Sequence, residues 1–433
     1  YREKEVINLM QSIWSDSIQL PQFPRLQRDQ KTDVLIIGGG LAGILCAYML
    51  QKSGIDYMLV EAKRICSGIT KNTTAKITVQ HGLIYHKLIK NFGIEKAFMY
   101  LRANQDALEQ YRQLCAHINC DFKEQNAFVY TRDDRKKIEK EARALQCLGF
   151  EAKYMETLAL PFAICGALCF NNQAQFHPLK FIKEIVRDLH VYEKTKAIEL
   201  NKNIVVTNGG TITADKIIVA THFPFLNKHG SYFLKMYQHR SYVLAVEHTI
   251  PIEGMLVDEK QDGLSFRNHK NVLLVGGGSH RTGKSGGNWR VLREFVKDYY
   301  PDGKECCAWA TQDCMTLDSV PYIGQYSKHT PNLYVATGFN KWGMISSMVA
   351  ARILTDRIIG KNNPYASVFS PSRTMLRPQL VLNAFESVAN LLYPSSKRCP
   401  HLGCALKWNE DERSWDCPCH GSRFQANGEL IDN

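Results

Sequence analysis

No stretch of this chain is both long and apolar enough to cross a bilayer. The longest apolar run, Leu158 to Phe170, is 13 residues and is broken by Pro161 and Gly166, against the roughly 20 that a spanning helix needs. An unbroken basic block is missing too: Lys and Arg number 54 against 42 Asp and Glu, and the net +12 is spread over 433 residues. Such a dilute excess suits small anionic partners and argues against a nucleic acid. There is no internal repeat, no low-complexity segment and no charged-then-apolar leader. The chain opens at Tyr1 without Met and stops at Asn433 soon after a dense Cys/His cluster, so a fragment of a longer product is expected. What is present is 45% apolar residues, enough for a large core divided at about 100–200 residues per domain. Of fourteen Cys, ten are scattered and four crowd between 399 and 419. The scatter predicts a reduced, cytoplasmic protein, and the crowd predicts a metal.

Residues 1–30 read as an arm that becomes extended at Leu20-Pro21-Gln22-Phe23-Pro24 and serves packing. Asp33 to Ile37 is an apolar run suited to a strand buried on both faces; it ends in Gly38-Gly39-Gly40-Leu41-Ala42-Gly43. A helix over 44–53, a stop at Gly54, a strand over 57–60 and a closing Glu61 complete a βαβ unit. Surface helices are predicted at 94–118 and 132–148. Strands are predicted at 203–206, 211–213, 216–221, 242–247, 271–275 and 332–336. A second glycine turn, Gly338 to Gly343, leads into a helix over 344–359. The run Gly276 to Ser279 continues into a Gly- and Lys-rich stretch that cannot start a helix, so it reads as a loop, neither a second nucleotide turn nor a P-loop.

In the first turn, Gly38 permits the bend, Gly40 lets backbone approach a pyrophosphate, and Gly43 lets helix and strand pack closely. The amides at the helix start and the helix dipole then supply the positive charge that phosphates need. Glu61 stands where its carboxylate would accept from both ribose hydroxyls. A dinucleotide follows from this; FAD and NAD remain alternatives at this level.

The segments Ala214 to Phe225, with its Ala220-Thr221 strand end, and Tyr334 to Met344 resemble the FAD-dependent oxidoreductases of the D-amino-acid oxidase and glycine oxidase superfamily, over roughly 31–363. The resemblance implies FAD, held by Gly38, Gly40, Gly43, Glu61, Ser67, Thr70, Ala220, Gly338, Trp342, Gly343 and Met344. It also implies a helix N-terminus at the pyrimidine end of the flavin, which would favour its anionic reduced form. The implied fold class is α/β: a Rossmann-like FAD-binding domain (31–90, 150–222 and 311–363), an inserted mixed α+β substrate domain (91–149 and 223–310), a linker with a helix (364–395) and a small C-terminal β module (396–433).

That module carries Cys399-Pro400-His401-Leu402-Gly403-Cys404 and Cys417-Pro418-Cys419-His420-Gly421-Ser422. The pattern resembles the Rieske 2Fe-2S motif, which implies Cys399 and Cys417 on one iron and His401 and His420 on the other. The resemblance further implies a disulfide between Cys404 and Cys419, at odds with a reducing compartment. Ser422 matches a hydroxyl that bonds a bridging sulfide, and Phe424 replaces a Tyr of high-potential members, implying an intermediate potential. Structural zinc is the rival occupant of such a ligand set.

Together these imply an FAD-dependent dehydrogenase that oxidises an amine or amino-acid-like substrate and passes electrons singly to the cluster and an external one-electron carrier. The alternative is a redox sensor without substrate turnover. Family members clamp a substrate carboxylate with Arg, but Trp309 to Asp318 contains none. Arg240, Arg267 and His280 are left as anion-binding candidates. Lys76 and Lys341 stand beside the flavin positions as candidates to tune its charge or activate oxygen, with solvated lysines as the bland alternative. No catalytic base is assigned.

Overall fold

The structure is a computed structural model that describes residues 11–15, 17–226, 230–400, 403–419 and 421–432. The apolar strand Gln30–Ile37 lies at the heart of an eight-stranded sheet, paired in parallel with Tyr57–Val60 on one side and Gly210–Val219 on the other. Leu333–Thr337 continues the parallel set, and Tyr322–Gln325 closes that edge antiparallel. Val34 to Ile37 are buried without alternation, because helices Leu41–Lys52 and Gly343–Ile358 and a second hydrophobic cluster cover the two faces. The sequence predicts two strands at 211–213 and 216–221; the chain instead forms one strand, since pairing with Gln30–Ile37 carries it across the polar Thr213 and Lys216.

A nine-stranded mixed sheet forms the second layer, with the long strands Met236–Glu247, Val272–Arg281 and Lys304–Thr316 grouped at one end. Gly276 to Ser279, expected as a loop, lies within Val272–Arg281, where Gly276 pairs with both Val243 and Ser265. Glycine is needed there because a Cβ on Gly278 would strike the backbone of Asn288. After Arg281 the next helix starts only at Asn288–Tyr299. The expected boundary at 150 also shifts: Lys153–Met155 and Gly166–Gln175 pair in the second sheet, the latter against Lys123–Thr131. Helix Ile94–Cys115, grouped by sequence with the insert, packs on Gly343–Ile358, with the Tyr111 hydroxyl donating to the Met344 carbonyl at 2.8 Å.

The arm is anchored by Trp14. Its indole is fully buried, donates to the Thr73 carbonyl at 2.7 Å, and meets the rings of His177 and His269 edge-on. Trp14→Ala is expected to cost about 3–5 kcal/mol of stability, read from the urea midpoint. A loss below about 1 kcal/mol would show that the arm contributes only a surface contact.

The helix Pro378–Leu392 leads to a four-stranded antiparallel sheet of Lys407–Asn409, Ser414–Asp416, Arg423–Phe424 and Leu430–Asp432. Among the described residues no helix is long and apolar enough to cross a membrane.

Candidate functional site

A cavity of about 1070 Å³ runs between the two sheets and gathers the sequence-predicted positions. All of them line it except Gly43. A Cβ on Gly43 would overlap the Gly38 carbonyl oxygen, so this glycine holds helix against strand and is a support of the turn, not a contact. Gly38 has φ +115° and lies against the Ala220 carbonyl. Gly40 differs: its φ of −79° suits any residue, and a Cβ there would meet only Thr70 Oγ1, at 3.5 Å. Space is therefore kept open at the start of helix Leu41–Lys52, where backbone amides converge. Glu61 braces the same turn, one carboxylate oxygen accepting from Gly39 N and the other from Lys63 N, each at 2.8 Å. Thr70 Oγ1 accepts from Leu41 N at 3.1 Å.

The late turn is equally constrained. Gly338 has φ +70°, and a Cβ would overlap Thr316. Asn340 pins it by donating to the Gly338 carbonyl at 2.6 Å and accepting from Thr316 N at 2.8 Å. Sequence reading passed over Asn340; the signal was an Asn two residues past a turn glycine, where its φ of +52° is tolerated better than by most side chains. Trp342 stacks on His81 at 4.7 Å. His81 donates from Nε2 to the Thr78 carbonyl at 2.9 Å, leaving Nδ1 to accept from Tyr100 Oη at 2.7 Å. Burial lowers its pKa to about 3, so the ring is neutral. An orphaned polar atom also borders the cavity, as His222 Nε2 has no partner among the described residues. Open backbone at Gly40, a helix start and a volume of this size fit a dinucleotide.

The charged groups sort themselves by partner. Lys76 and Lys341 both line the cavity; burial brings Lys76 to about 7 and Lys341 to about 8. Both are half-buried, Lys76 Nζ donating to the Leu256 carbonyl at 3.3 Å and Lys341 Nζ to the Gln261 carbonyl at 3.2 Å. Asp313 lines the same space, its carboxyl pushed up by burial against the pull of Lys341. Both amines are cationic only below their lowered pKa values. A carboxylate probe such as benzoate, followed by flavin absorbance, is thus expected to bind more weakly as pH rises through about 7 to 8. Lys76→Met should flatten the lower part of that profile, and an unchanged profile would remove Lys76 from the site.

The anion-binding candidates of the sequence are otherwise engaged. Arg267 donates to the Thr74 and Ala75 carbonyls at 2.6 and 2.9 Å and lies over Trp14. His280 stacks on Tyr242 outside the cavity. Arg240 reaches the cavity, yet its guanidinium grips Glu412 of the C-terminal module through both Nε, at 2.9 Å, and Nη2. Tyr242 Oη and Arg423 Nη2 donate to the same carboxylate at 3.0 and 2.7 Å. Burial alone would raise the Glu412 carboxyl, but Arg240 and Arg423 hold it below its ordinary value. Asp318, in the segment lacking the clamp, is paired bidentately with Arg373 at 2.7 and 2.8 Å, both buried. None of these arginines is available to a substrate carboxylate.

At the module's tip, Cys399 and Cys417 are buried on two separate loops. Cys404 and Cys419 are joined by a disulfide that ties those loops together. The Cys417 sulfur lies within 4.8 Å of both, and since those two are bonded to each other, this trio is no metal set. Each loop is closed by backbone: Gly403 N donates to Cys399 O at 2.9 Å and Gly421 N to Cys417 O at 2.8 Å. His401 and His420 lie outside the described residues. Two buried cysteines on loops cross-tied in this way fit one iron of a 2Fe-2S pair.

Comparison with known proteins agrees with both halves of this geometry. Residues 33–357 match the family model of FAD-dependent oxidoreductases, DAO, and residues 372–433 match that of the Rieske [2Fe-2S] domain. The chain is 36% identical to a Rieske 2Fe-2S iron-sulfur protein, YhfW, of Bacillus subtilis (strain 168), over 98% of this chain and 95% of that protein. In fold it is similar to L-proline dehydrogenase from P. horikoshii, with a TM-score of 0.67 at 17% identity over 81% of this chain and 98% of that one. Glycine oxidase from Geobacillus kaustophilus gives 0.65 at 17% identity, over 79% and 99%. The chain therefore binds FAD through its DAO domain and a 2Fe-2S cluster through its Rieske domain, and it belongs to the DAO family of FAD-dependent oxidoreductases, extended by a Rieske domain.

Proposed function

We propose that this enzyme is a dehydrogenase. It oxidises an amine or amino-acid-like substrate and delivers the electrons one at a time, through the cluster, to an external one-electron carrier. The observation that carries this reading is the shared wall: the cavity lined by both glycine turns is also lined by Arg423, Leu430 and Ile431 of the Rieske domain. In this reading FAD is held by Gly38, Gly40, Glu61, Ser67, Thr70, Ala220, Gly338, Trp342, Gly343 and Met344, with Gly43 as support. The cluster is held by Cys399, His401, Cys417 and His420. FAD supplies two-electron oxidation of a carbon–nitrogen single bond to a double bond, and the cluster supplies one-electron transfer.

The protein's own groups orient the reactants. Asp313 is the group proposed to hold the substrate nitrogen, and Lys76 and Lys341 the groups that attract an anionic end, Arg240, Arg267 and Arg373 being held by other partners. The named activities of similar structures, an L-proline dehydrogenase, a glycine oxidase and an L-amino acid deaminase, support the substrate class. Anaerobic titration with a panel of amines and amino acids tests the reading, with flavin and cluster absorbance read together. One compound should bleach both. Bleaching of the flavin alone, with rapid oxygen consumption and the cluster left oxidised, would make the enzyme an oxidase and sink the proposal.

A further inference from the structure

Resting on the reading that electrons leave through the cluster, we infer that Gln312 is a positioning residue joining the cavity wall to the second cluster loop. We infer also that the Rieske domain stays docked there during turnover and does not swing away. Gln312 is fully buried on strand Lys304–Thr316 and lines the cavity between Thr311 and Asp313. Both ends of its carboxamide are used: Nε2 donates to the Gly421 carbonyl at 2.9 Å, and Oε1 accepts from Thr282 Oγ1 at 3.0 Å. Gly421 directly follows His420 in the chain. A short path of covalent and hydrogen bonds therefore runs from the cavity wall to a residue beside a proposed iron ligand.

The fit at this contact needs glycine on both partners. Gly421 has φ +82°, and a Cβ would overlap the Gln238 side chain; Gly283 has φ +76°, and a Cβ would come within 2.7 Å of Pro418 N. Pro418 and Gly421 bracket Cys419 and His420, so the second loop touches the sheet at backbone distance. Around this contact, Arg240 is 3% exposed and Arg423 6%, and Glu412 sits between them. Undocking would leave Arg240 without its counter-ion in a low-dielectric surface, a strongly unfavourable state to visit on every turnover. In the docked state one electron leaves the reduced flavin as one ferric iron of the cluster becomes ferrous. The second follows once the cluster has passed the first to a one-electron acceptor.

The test uses the intact protein with both cofactors, its flavin reduced by a light pulse with deazaflavin and EDTA as electron donor, and the cluster followed by absorbance and low-temperature EPR. In wild type the flavin-to-cluster rate should not change when sucrose raises the viscosity. Gln312→Leu should slow that rate by about ten- to hundredfold and shift the EPR g values of the reduced cluster, with FAD and iron contents unchanged. Glu412→Gln should make the rate viscosity-dependent. A wild-type rate that falls with viscosity, or a Gln312→Leu rate within about twofold of wild type, would overturn the inference. If the wild-type cluster is never reduced from the flavin, the proposed function fails instead, so the two failures are separable.

Discussion

Replacing Cys399 or Cys417 with alanine is expected to abolish the 2Fe-2S centre while leaving FAD in place. Each cysteine is at most 1% exposed and is set in a loop closed by its own backbone hydrogen bonds. Losing one thiolate removes half the protein ligands of the iron it serves, and neither Cys404 nor Cys419 can substitute, because they are consumed in their disulfide. The loops themselves should persist, since the disulfide and the contacts to the second sheet do not depend on either residue. The measurement is iron, inorganic sulfide and flavin per chain, with EPR of the dithionite-reduced protein. Full iron and sulfide in Cys399→Ala would remove that residue from the ligand set. Zinc with no inorganic sulfide in the unaltered protein would sink the cluster altogether.

The second large effect separates two glycines three residues apart. Gly43→Ala places a methyl group on the Gly38 carbonyl, and neither helix nor strand can retreat from a core this densely packed. A loss of about 1–3 kcal/mol or more is expected, with FAD lost as a consequence of the distorted turn. Gly40→Ala should leave stability within about 0.5 kcal/mol, because its backbone conformation is ordinary and the added methyl meets only Thr70. Its cost appears on FAD, where a methyl intrudes on the pyrophosphate and the dissociation constant should rise about tenfold, or about 1.4 kcal/mol. Thermal unfolding of apo-protein together with FAD titration reads both. Equal stability losses, or unchanged FAD affinity in Gly40→Ala, would contradict the division of roles.

Local pattern carried a good deal of this. The strand at 33–37, its glycine turn, the following helix and Glu61 are legible because each step rests on near neighbours: uninterrupted apolar burial, a turn that needs positive φ, a helix stop. The cluster loops are legible for the same reason, as their ligands recur within a few residues. Errors arose wherever the deciding partner was remote. Gly276 to Ser279 reads as a loop until Val243 and Ser265 are seen beside it. Residues 211–219 read as two strands until Gln30–Ile37 bridges them. Residues from 150 onward read with the FAD-binding domain until Gly166–Gln175 is seen paired with Lys123–Thr131 across that boundary.

The site shows the same limit more sharply. Arg240, read alone, is a free cation facing substrate; its counter-ion Glu412 is 172 residues away. Arg267 likewise reads as a spare charge until the Thr74 and Ala75 carbonyls it binds come into view. Asp313 carried no motif and became notable only when folding set it in the cavity beside Lys341.

The sequence by itself determined a dinucleotide turn and a paired Cys/His metal motif, since both are short-range constellations, and their resemblance to known families pointed to FAD and a 2Fe-2S cluster. Only the tertiary structure decided that the C-terminal domain shares a wall of the cavity lined by both glycine turns, and which charges around it are already paired. Contacts of that kind join residues far apart in the chain, and hydrophobic burial, which is non-directional, brings them together without leaving a periodic trace in either segment.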